Sequence, residues 1–471
     1  MGHAASLFFG NSEDTLYSRI TPTTEQREFL QEHWNQMCAF LQPRLVQRSG
    51  CQISTWLQGS YKFGTLLKPV SKDEEYDVDV GLYFHWDSDE RAHPAATQLR
   101  SWVQEELEEY ARSVDEIREV EVPPKERCSR ATYISQFHID IPVYHLDPER
   151  DTRRLACLSG EWEPSDPKAI YVWFKELVPN PERERLRRIV RYLKAWAAVT
   201  FNDRETARPS SVLLTVVAAQ AFGSIQFWEV FSTADDEDTL IEVVKTIYDR
   251  LSLDSRVWNP VDADEDLNRI PPDDREIFVS RLRELREAAL SAAEAQDEAA
   301  AALAWSRVFS YLMPLPEASE VEVVEEGSDR ALMVLPEVRI EVFGRNPRRL
   351  LATHLNEVPS VAKNCDLEFS ILNPHILPAY AEIEWTVRNR GGEAGHIGDL
   401  GHRRVGTHMT RADEHTAYTG MHYMDCVVRN SGTVYAVRRI PVNIVPGALP
   451  ARNPARPAYT KLRSMFRRHR R

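Results

Sequence analysis

Three carboxylates in the first third of the chain have a spacing that could support catalysis. Asp77 and Asp79 lie in Tyr76-Asp-Val-Asp-Val-Gly-Leu-Tyr-Phe84, a run rich in β-formers. Residues two apart on a strand share a face, so Asp77 and Asp79 converge while Val78 and Val80 enter the core. Neighbouring carboxylates repel each other and need a cation. Mg2+ suits them, with Mn2+ as the alternative, because it takes a few carboxylates and completes its shell with water and phosphate oxygens. Asp140, in Phe137-His-Ile-Asp-Ile141, falls on a second strand whose other face is apolar, and it can complete a two-metal site. His138 shares the face of Asp140 and is read as a supporting or packing residue, not a ligand. A lone Asp-x-Asp on a half-exposed strand is ordinarily a solvated edge. A merely stable sheet has no need of the third aspartate.

Upstream lies Leu57-Gln-Gly-Ser-Tyr-Lys-Phe-Gly-Thr65. Gly59 and Gly64 permit tight backbone, so amide groups and the Ser60 hydroxyl can approach a phosphate. Lys125, Arg127 and Arg130 read as a solvated basic turn, or as the lining of a nucleotide groove.

These residues need elements to hold them. Thr24 reads as the N-cap of a helix with Leu30, Trp34, Met37 and Leu41 on one side. Ile53, Thr55 and Leu57 lead into a Gly-Ser turn. Leu99, Trp102, Val103, Leu107 and Tyr110 recur at helical spacing, and residues 131–146 alternate as a strand. Together they give an α/β unit with a mixed sheet over about residues 20–150. Leu186, Ile189, Val190, Leu193 and Ala197 form a helical stripe. Residues 211–231 are strongly apolar, and 273–312 are rich in Ala, Glu, Leu and Arg, as in long surface helices.

In combination, Gly59-Ser60, Asp77, Asp79 and Asp140 resemble the polymerase-beta-type nucleotidyltransferases. QGSYKFGT, EYDVDVGLYF, FHIDIPVY, Trp162-Glu-Pro-Ser-Asp-Pro167 and Arg191-Tyr-Leu-Lys-Ala-Trp196 resemble more closely the bacterial cGAS/DncV-like nucleotidyltransferases (CD-NTases, SMODS type) of anti-phage CBASS systems. The resemblance covers about residues 20–315. It implies a magnesium-dependent enzyme that makes a cyclic oligonucleotide second messenger from nucleoside triphosphates, ATP and GTP among them. The product would act on a separate effector. It also implies roles for Lys194 and Ser211 in holding the donor triphosphate beside Gly59 and Ser60. Without it, Lys194 is a snorkelling lysine and Ser210-Ser211 an ordinary helix start. Of the two serines, Ser211 is the candidate. Two rivals stand: transfer to a protein, an RNA end or a small molecule, and a nucleotide sensor without turnover. Three converging carboxylates argue against the second.

Beyond Pro316 the pattern becomes strand-like. VRIEVFG, CDLEFSIL, YAEIEWTVRN, YMDCVVRN and VYAVRRIPVNIV predict a small β-sandwich. Tyr380–Asn389, Gly392-Glu-Ala394 and His415–His422 resemble the adenylyl/guanylyl-cyclase and SMODS C-terminal sensor (AGS-C) domain. Trp385 is expected in the core. Glu414, Thr416, Tyr418 and His422 mix polar and aromatic groups near Gly420, a mix that suits a ligand pocket.

The fold class is therefore α+β: a polymerase-beta-type palm with a helical lobe, followed by a small β-sandwich. The expected domains are 1–158 for the palm with its N-terminal helix, 159–316 for the helical lobe, 317–335 for an acidic linker, 336–446 for the sensor-like sandwich and 447–471 for a basic tail. Domains divided by such a linker ordinarily meet through modest interfaces, so residues 1–315 are expected to keep some activity alone. A net charge of −14 over 471 residues argues against a surface that coats nucleic acid, although Arg452–Arg471 holds eight Arg/Lys and no acid. Six scattered cysteines without a CxxC pair fit a reducing, cytoplasmic setting. No membrane span or signal peptide is expected.

Overall fold

In a computed structural model, residues 2–447 are described except 13, 72–73, 89–92, 181, 225–233, 316–334 and 431–432. The acidic linker up to residue 334 and the basic tail from residue 448 thus lie outside the described residues. The chain divides into two compact units. One comprises Ile20–Lys68 and Glu75–Arg283, the other Met1–Arg19, Pro69–Glu74 and Glu284–Arg471.

The first unit is built on a mixed sheet. Its strands are β1 (Gln52–Leu57), β2 (Tyr76–His85), β3 (Ile117–Val120), β4 (Ser129–Tyr133), β5 (Phe137–Ile141), β6 (Val143–Asp147), β7 (Thr152–Ala156) and β8 (Trp162–Pro164). The order is β3-β4-β5-β2-β6-β7-β8, with β1 antiparallel to β2. β5 and β6 run parallel to β2 in one constant register, from Tyr76↔Phe137 to His85↔Leu146, with a break in the pairing at Pro142. The alternating stretch 131–146 is thus not one strand. It turns between β4 and β5, where Gln136 takes a positive φ of 63°, and pauses again where proline lacks an N–H.

Even-numbered residues of β2 (Val78, Val80, Leu82, Phe84) are buried in one core with Ile139, Ile141 and Val143. Two short helices, α1 (Ala5–Phe8) and α2 (Leu16–Ile20), come first in the chain. Two long ones, α3 (Thr24–Ser49) and α5 (Ala96–Ser113), supply Leu30, Met37, Leu41, Leu99, Val103 and Leu107 to that core. This packing leaves the odd-numbered face of β2 for the site. The cap of α3 is Thr23, one residue before the sequence expectation. Its hydroxyl accepts from the Gln26 N–H while the Gln26 side chain accepts from the Thr23 N–H, a reciprocal capping box. Helices α6 (Pro167–Leu177), α7 (Glu182–Thr200), α8 (Ser211–Ser224) and α9 (Asp236–Leu251) complete most of this unit. The stripe expected on α7 is fully buried. Two further helices, α10 (Pro272–Ala293) and α11 (Glu298–Phe309), are less superficial than their composition suggests. Leu285, Ala288, Ala301, Trp305 and Phe309 are all fully buried.

The second unit contains a sandwich of two sheets. After a short ribbon of β9 (Trp258–Asn259) and β10 (Asp262–Asp266), which belongs to the first unit, come β11 (Val338–Arg345), β12 (Arg348–Leu355), β13 (Val358–Ala362), β14 (Cys365–Ile371), β15 (Glu382–Arg388), β16 (Gly401–Thr407), β17 (Arg411–His415), β18 (Gly420–Asn430) and β19 (Thr433–Val445). The orders are β12-β11-β14-β17 and β13-β19-β18-β15-β16. The inner faces of the two sheets share one core that includes Ile340, Phe369, Trp385, Cys426 and Ile440. Trp385 is core, as expected, and its indole N–H donates to the Met409 carbonyl at 2.8 Å.

The outer face of the five-stranded sheet is charged yet buried. Arg388 and Asp425 pair at 2.5 Å with side chains 2% and 0% exposed. Arg439 also reaches Asp425, at 3.1 Å. Arg388 donates to the carbonyls of Ser310 and Met313, Arg439 to that of Leu315, and Arg403 to that of Arg307. These carbonyls lie at the end of α11 and in the turn after it, where regular helical pairing runs out, and that of Ser310 also accepts from the Met313 N–H. The interface expected to be modest is instead a desolvated ionic clamp, and a chain ending at residue 315 would lose it. Asp425→Ala should leave two buried guanidiniums facing each other and cost about 3–5 kcal/mol, the usual penalty for breaking a buried pair. An unchanged denaturation midpoint in that variant would contradict this reading.

Candidate active site

The site is organised by β2. Its odd-numbered face presents Asp77 and Asp79, and on β5 the register sets His138 beside Asp77 and Asp140 beside Asp79. The three aspartates are thus placed on one face of two adjacent strands, as the period-two argument requires. Asp77 accepts from His138 Nε2 at 2.9 Å, and His138 Nδ1 lies 3.2 Å from Glu75. Glu75 is held in turn by Arg118 at 3.3 Å. Burial works against a charged His138, but its bonds to Asp77 and Glu75 prevail and raise its pKa to about 9. Burial likewise pushes the Asp77 carboxyl up, yet the His138 bond and charge outweigh it and hold the group below its ordinary value. For Asp79 the balance is reversed. Burial, then Asp77, then Asp140 drive its pKa well above the usual carboxylate range.

Asp140 is bridged by Arg130, with Nε and Nη2 at 2.5 and 2.6 Å from its two oxygens. Arg130 is not part of a solvated basic turn. It lies on β4 directly opposite Asp140, and Lys125 stands 3.8 Å from the same carboxylate. Arg127 instead pairs with Glu163 at 2.5 Å. Ligand atoms of Asp77, His138 and Asp140 all lie within 4.8 Å of one another. Asp77, Asp79 and Asp140 converge on one face, and burial together with the other two carboxylates raises the pKa of Asp79, so the site offers the hard oxygen donors that a divalent cation takes. The donor set therefore fits Mg2+ or Mn2+ chemically.

The Gly-Ser segment is not a simple turn. It forms a short helix, α4 (Gly59–Phe63), closed by Gly64 at φ 68°. Gly59 has φ 57°, and a Cβ there would stand 1.9 Å from an Asp79 carboxylate oxygen. No side chain fits between this backbone and Asp79. Helix α7 binds the segment through Arg187, Arg191 and Lys194, which recur on one helical face. Arg187 donates to the Phe63 carbonyl at 3.0 Å and Arg191 to that of Leu66 at 3.3 Å. Lys194 donates to the Ser60 hydroxyl at 2.8 Å and the Thr65 hydroxyl at 3.0 Å. Lys194 is only 6% exposed. Burial and then Arg191 push its pKa down to about 7, against the opposing pull of Asp77 and Asp79. It is not a snorkelling lysine. Ser210 rather than Ser211 caps α8, accepting from the Leu213 N–H at 3.3 Å. Ser211 is exposed in the first turn.

The structure thus brings together Gly59, Ser60, Asp77, Asp79, Asp140 and Lys194. Sequence reasoning left out Thr65, although it ends the quoted motif. It assigned His138 and Arg130 no specific partner, because cross-strand neighbours are invisible without the register.

A family model for the nucleotidyltransferase domain of "Cyclic GMP-AMP synthase DncV-like" proteins matches residues 53–144, the stretch from β1 to β6 that holds all three aspartates. A second, for the "Adenylyl/Guanylyl and SMODS C-terminal sensor domain", matches residues 322–445. Residues 53–144 thus form a DncV-like nucleotidyltransferase domain, and residues 322–445 a C-terminal sensor-type domain. The chain is 27% identical over 452 residues to a cyclic GMP-AMP synthase of Escherichia albertii, covering 94% of the chain and 97% of that relative. It is 24% identical to a c-di-GMP synthase of Roseivirga ehrenbergii, over 49% of the chain and 64% of that relative. In fold it resembles the Vibrio cholerae DncV cyclic AMP-GMP synthase crystallised with the linear intermediate 5' pppA(3',5')pG. The TM-score is 0.54 at 19% identity, over 67% of this chain and 99% of the other.

In the sandwich, the four candidate ligand residues have partners of their own. Glu414 accepts from His402 at 2.6 Å and Tyr418 donates to Asp399 at 2.8 Å. Thr416, fully buried, accepts from the Cys365 N–H. His422 is 4% exposed and accepts from the Arg390 N–H at 3.4 Å. Tyr418 packs with Ala394, Ala417 and Ile397 in a cluster of its own. Among the described residues, no helix is long and apolar enough to cross a membrane.

Proposed function

We propose that this enzyme joins nucleoside triphosphates into a cyclic oligonucleotide, and that Asp77, Asp79 and Asp140 are its catalytic acids. The observation that carries the reading is the placement of the three aspartates on one face, with Gly59 packed against Asp79 and Lys194 reaching Ser60. Mg2+ or Mn2+, held by the three carboxylates, would activate the acceptor hydroxyl and neutralise charge on the triphosphate. The chain's own groups do the rest. The Ser60 and Thr65 hydroxyls and the Lys194 ammonium lie together as donors for a triphosphate. A ribose hydroxyl of a second nucleotide attacks the α-phosphorus, a P–O bond forms, and pyrophosphate leaves. Asp140 would serve the acceptor and could take the hydroxyl proton once Arg130 moves off it. A second round on the linear product closes the ring.

The cyclic product is favoured over other acceptors by the length of the similarity to the Escherichia albertii enzyme, which runs through both units. Anti-phage signalling through a separate effector and a cytoplasmic location go with this reading, as does a role for Ser211 at the triphosphate. Ligand sensing at Glu414, Thr416, Tyr418 and His422 is part of it too, and would require their internal bonds to be exchanged. Incubation with α-labelled ATP and GTP and a divalent cation should give a small product that phosphatase does not degrade. Label transferred to protein or RNA, or released only as monophosphate, would overturn the cyclic product.

A further inference from the structure

Beyond its acids, the catalytic face of β2 carries a second device. Its odd-numbered residues read Asp77, Asp79, Gly81, Tyr83. Gln58 occupies the N-cap position of α4, but its side chain makes no cap bond. Its backbone N–H donates to the Asp79 carbonyl at 2.8 Å, which extends the β1–β2 ladder one step past Leu57↔Val80. Its side chain lies against Gly81, where a Cβ would stand 2.1 Å from the Gln58 amide nitrogen. Beyond that slot, Gln58 Nε2 donates to the Tyr83 hydroxyl at 2.6 Å, and the Tyr144 hydroxyl donates to Gln58 Oε1 at 3.2 Å.

The two tyrosines are register partners on β2 and β6. Their rings stack at 4.7 Å with 9° between planes, and each is 3% exposed. They form, with Leu155, Trp56 and Leu146, a cluster separate from the main palm core. A buried amide met on both its donor and its acceptor side is held in one orientation, because losing either bond leaves a desolvated polar group. The two glycines interlock the arrangement. Gly81 admits the Gln58 amide, and Gly59, the next residue after Gln58, admits the Asp79 carboxylate. Fixing Gln58 therefore fixes the peptide from which Gly59 and Ser60 depart.

The geometry points to Tyr83 and Tyr144 as positioning residues that act through the Gln58 amide. They set Gly59 and Ser60 against Asp79, and so set the donor triphosphate relative to the carboxylates. This inference rests on the nucleotidyltransferase reading of the same site. It concerns alignment and not affinity, because Lys194, Ser60 and Thr65 remain to bind phosphate when the tyrosine hydroxyls are gone. A displacement of about 1 Å at a reacting centre can cost on the order of 100-fold in rate.

The test is a cycle of Tyr83→Phe with Tyr144→Phe, Gln58→Met, and all three together, scored by pyrophosphate release under saturating ATP and GTP. The tyrosine pair should lower kcat by about 10- to 100-fold and leave KM within about threefold. In the Gln58→Met background the same pair should have little further effect, because residues acting through one group are not additive. A kcat for the tyrosine pair within about twofold of wild type would overturn the inference, as would effects that add fully to those of Gln58→Met. If Gln58→Met does not fold, the KM-against-kcat split of the tyrosine pair decides alone. A wild-type protein that releases no pyrophosphate would instead count against the proposed function.

Discussion

Asp79→Asn is expected to lower nucleotide incorporation by at least about three orders of magnitude, roughly 4 kcal/mol of transition-state stabilisation. The same change should not harm the metal-free fold. Asp79 is held among Asp77, Asp140 and a buried surround that drive its carboxyl pKa upward. A carboxyl whose folded pKa exceeds its unfolded value binds more protons when folded. Stability is then lost as pH rises from the unfolded value, about 3.9, toward and through the raised one. In chelator, wild type should therefore lose stability with rising pH over that window, and Asp79→Asn should lose less. Thermal denaturation at several pH values, paired with single-turnover assays, checks both halves. Wild-type turnover in Asp79→Asn would remove Asp79 from the catalytic set. A melting temperature below that of wild type at mildly alkaline pH would mean that the carboxylate is structural.

Lys194→Met should reduce kcat/KM for the donor nucleotide by about 100- to 1000-fold, roughly 3–4 kcal/mol, the scale of a charge-assisted contact in a dry site. Its pH dependence is the sharper signature. With a pKa of about 7 in the free protein, Lys194 is charged in mildly acidic solution and increasingly neutral in alkaline solution. An anionic triphosphate favours the charged form, so binding takes up a proton and donor affinity should weaken as pH rises above about 7. Lys194→Arg, charged throughout, should flatten that profile. The stability of the nucleotide-free protein should move the other way. Between about 7 and the unfolded lysine value near 10.4, the unfolded chain binds more protons, so stability rises with pH and Lys194→Met removes the rise. A wild-type donor KM that stays constant from about pH 6.5 to about pH 9 would refute the role.

Where the sequence failed is as physical as where it succeeded. Asp77, Asp79 and Asp140 could be placed because strand alternation is short-range and needs no partner. The buried stripe of α7 followed from its periodicity in the same way. Arg130 and His138 could not be understood from their own segments, since each finds its carboxylate across a strand pair whose register only the folded sheet defines. Lys194 could be singled out only by resemblance, because its burial depends on the segment from Ser60 to Thr65 packing against α7. In the sandwich, β11, β14, β15, β18 and β19 were legible as apolar alternation. The missed strands β12, β13, β16 and β17 are the four sheet edges. An edge strand buries little and carries polar residues such as Arg348, Arg349, Arg403 and Asp413, so its period is faint. The buried charges Arg388, Asp425 and Glu384 were hidden for a related reason. Alternating polar residues on a strand read as solvent-facing, and only the carbonyls of residues 307–315 reveal that this face is covered.

The most direct measurement is mass spectrometry of the products formed from an equimolar mixture of the four nucleoside triphosphates with Mg2+, run beside Asp79→Asn. The expected species has the mass of two or three nucleoside monophosphates less one water per linkage, is closed and without a terminal phosphate, and is absent from the variant. Only linear products that keep their triphosphate, or nucleotide attached to the protein, would contradict it.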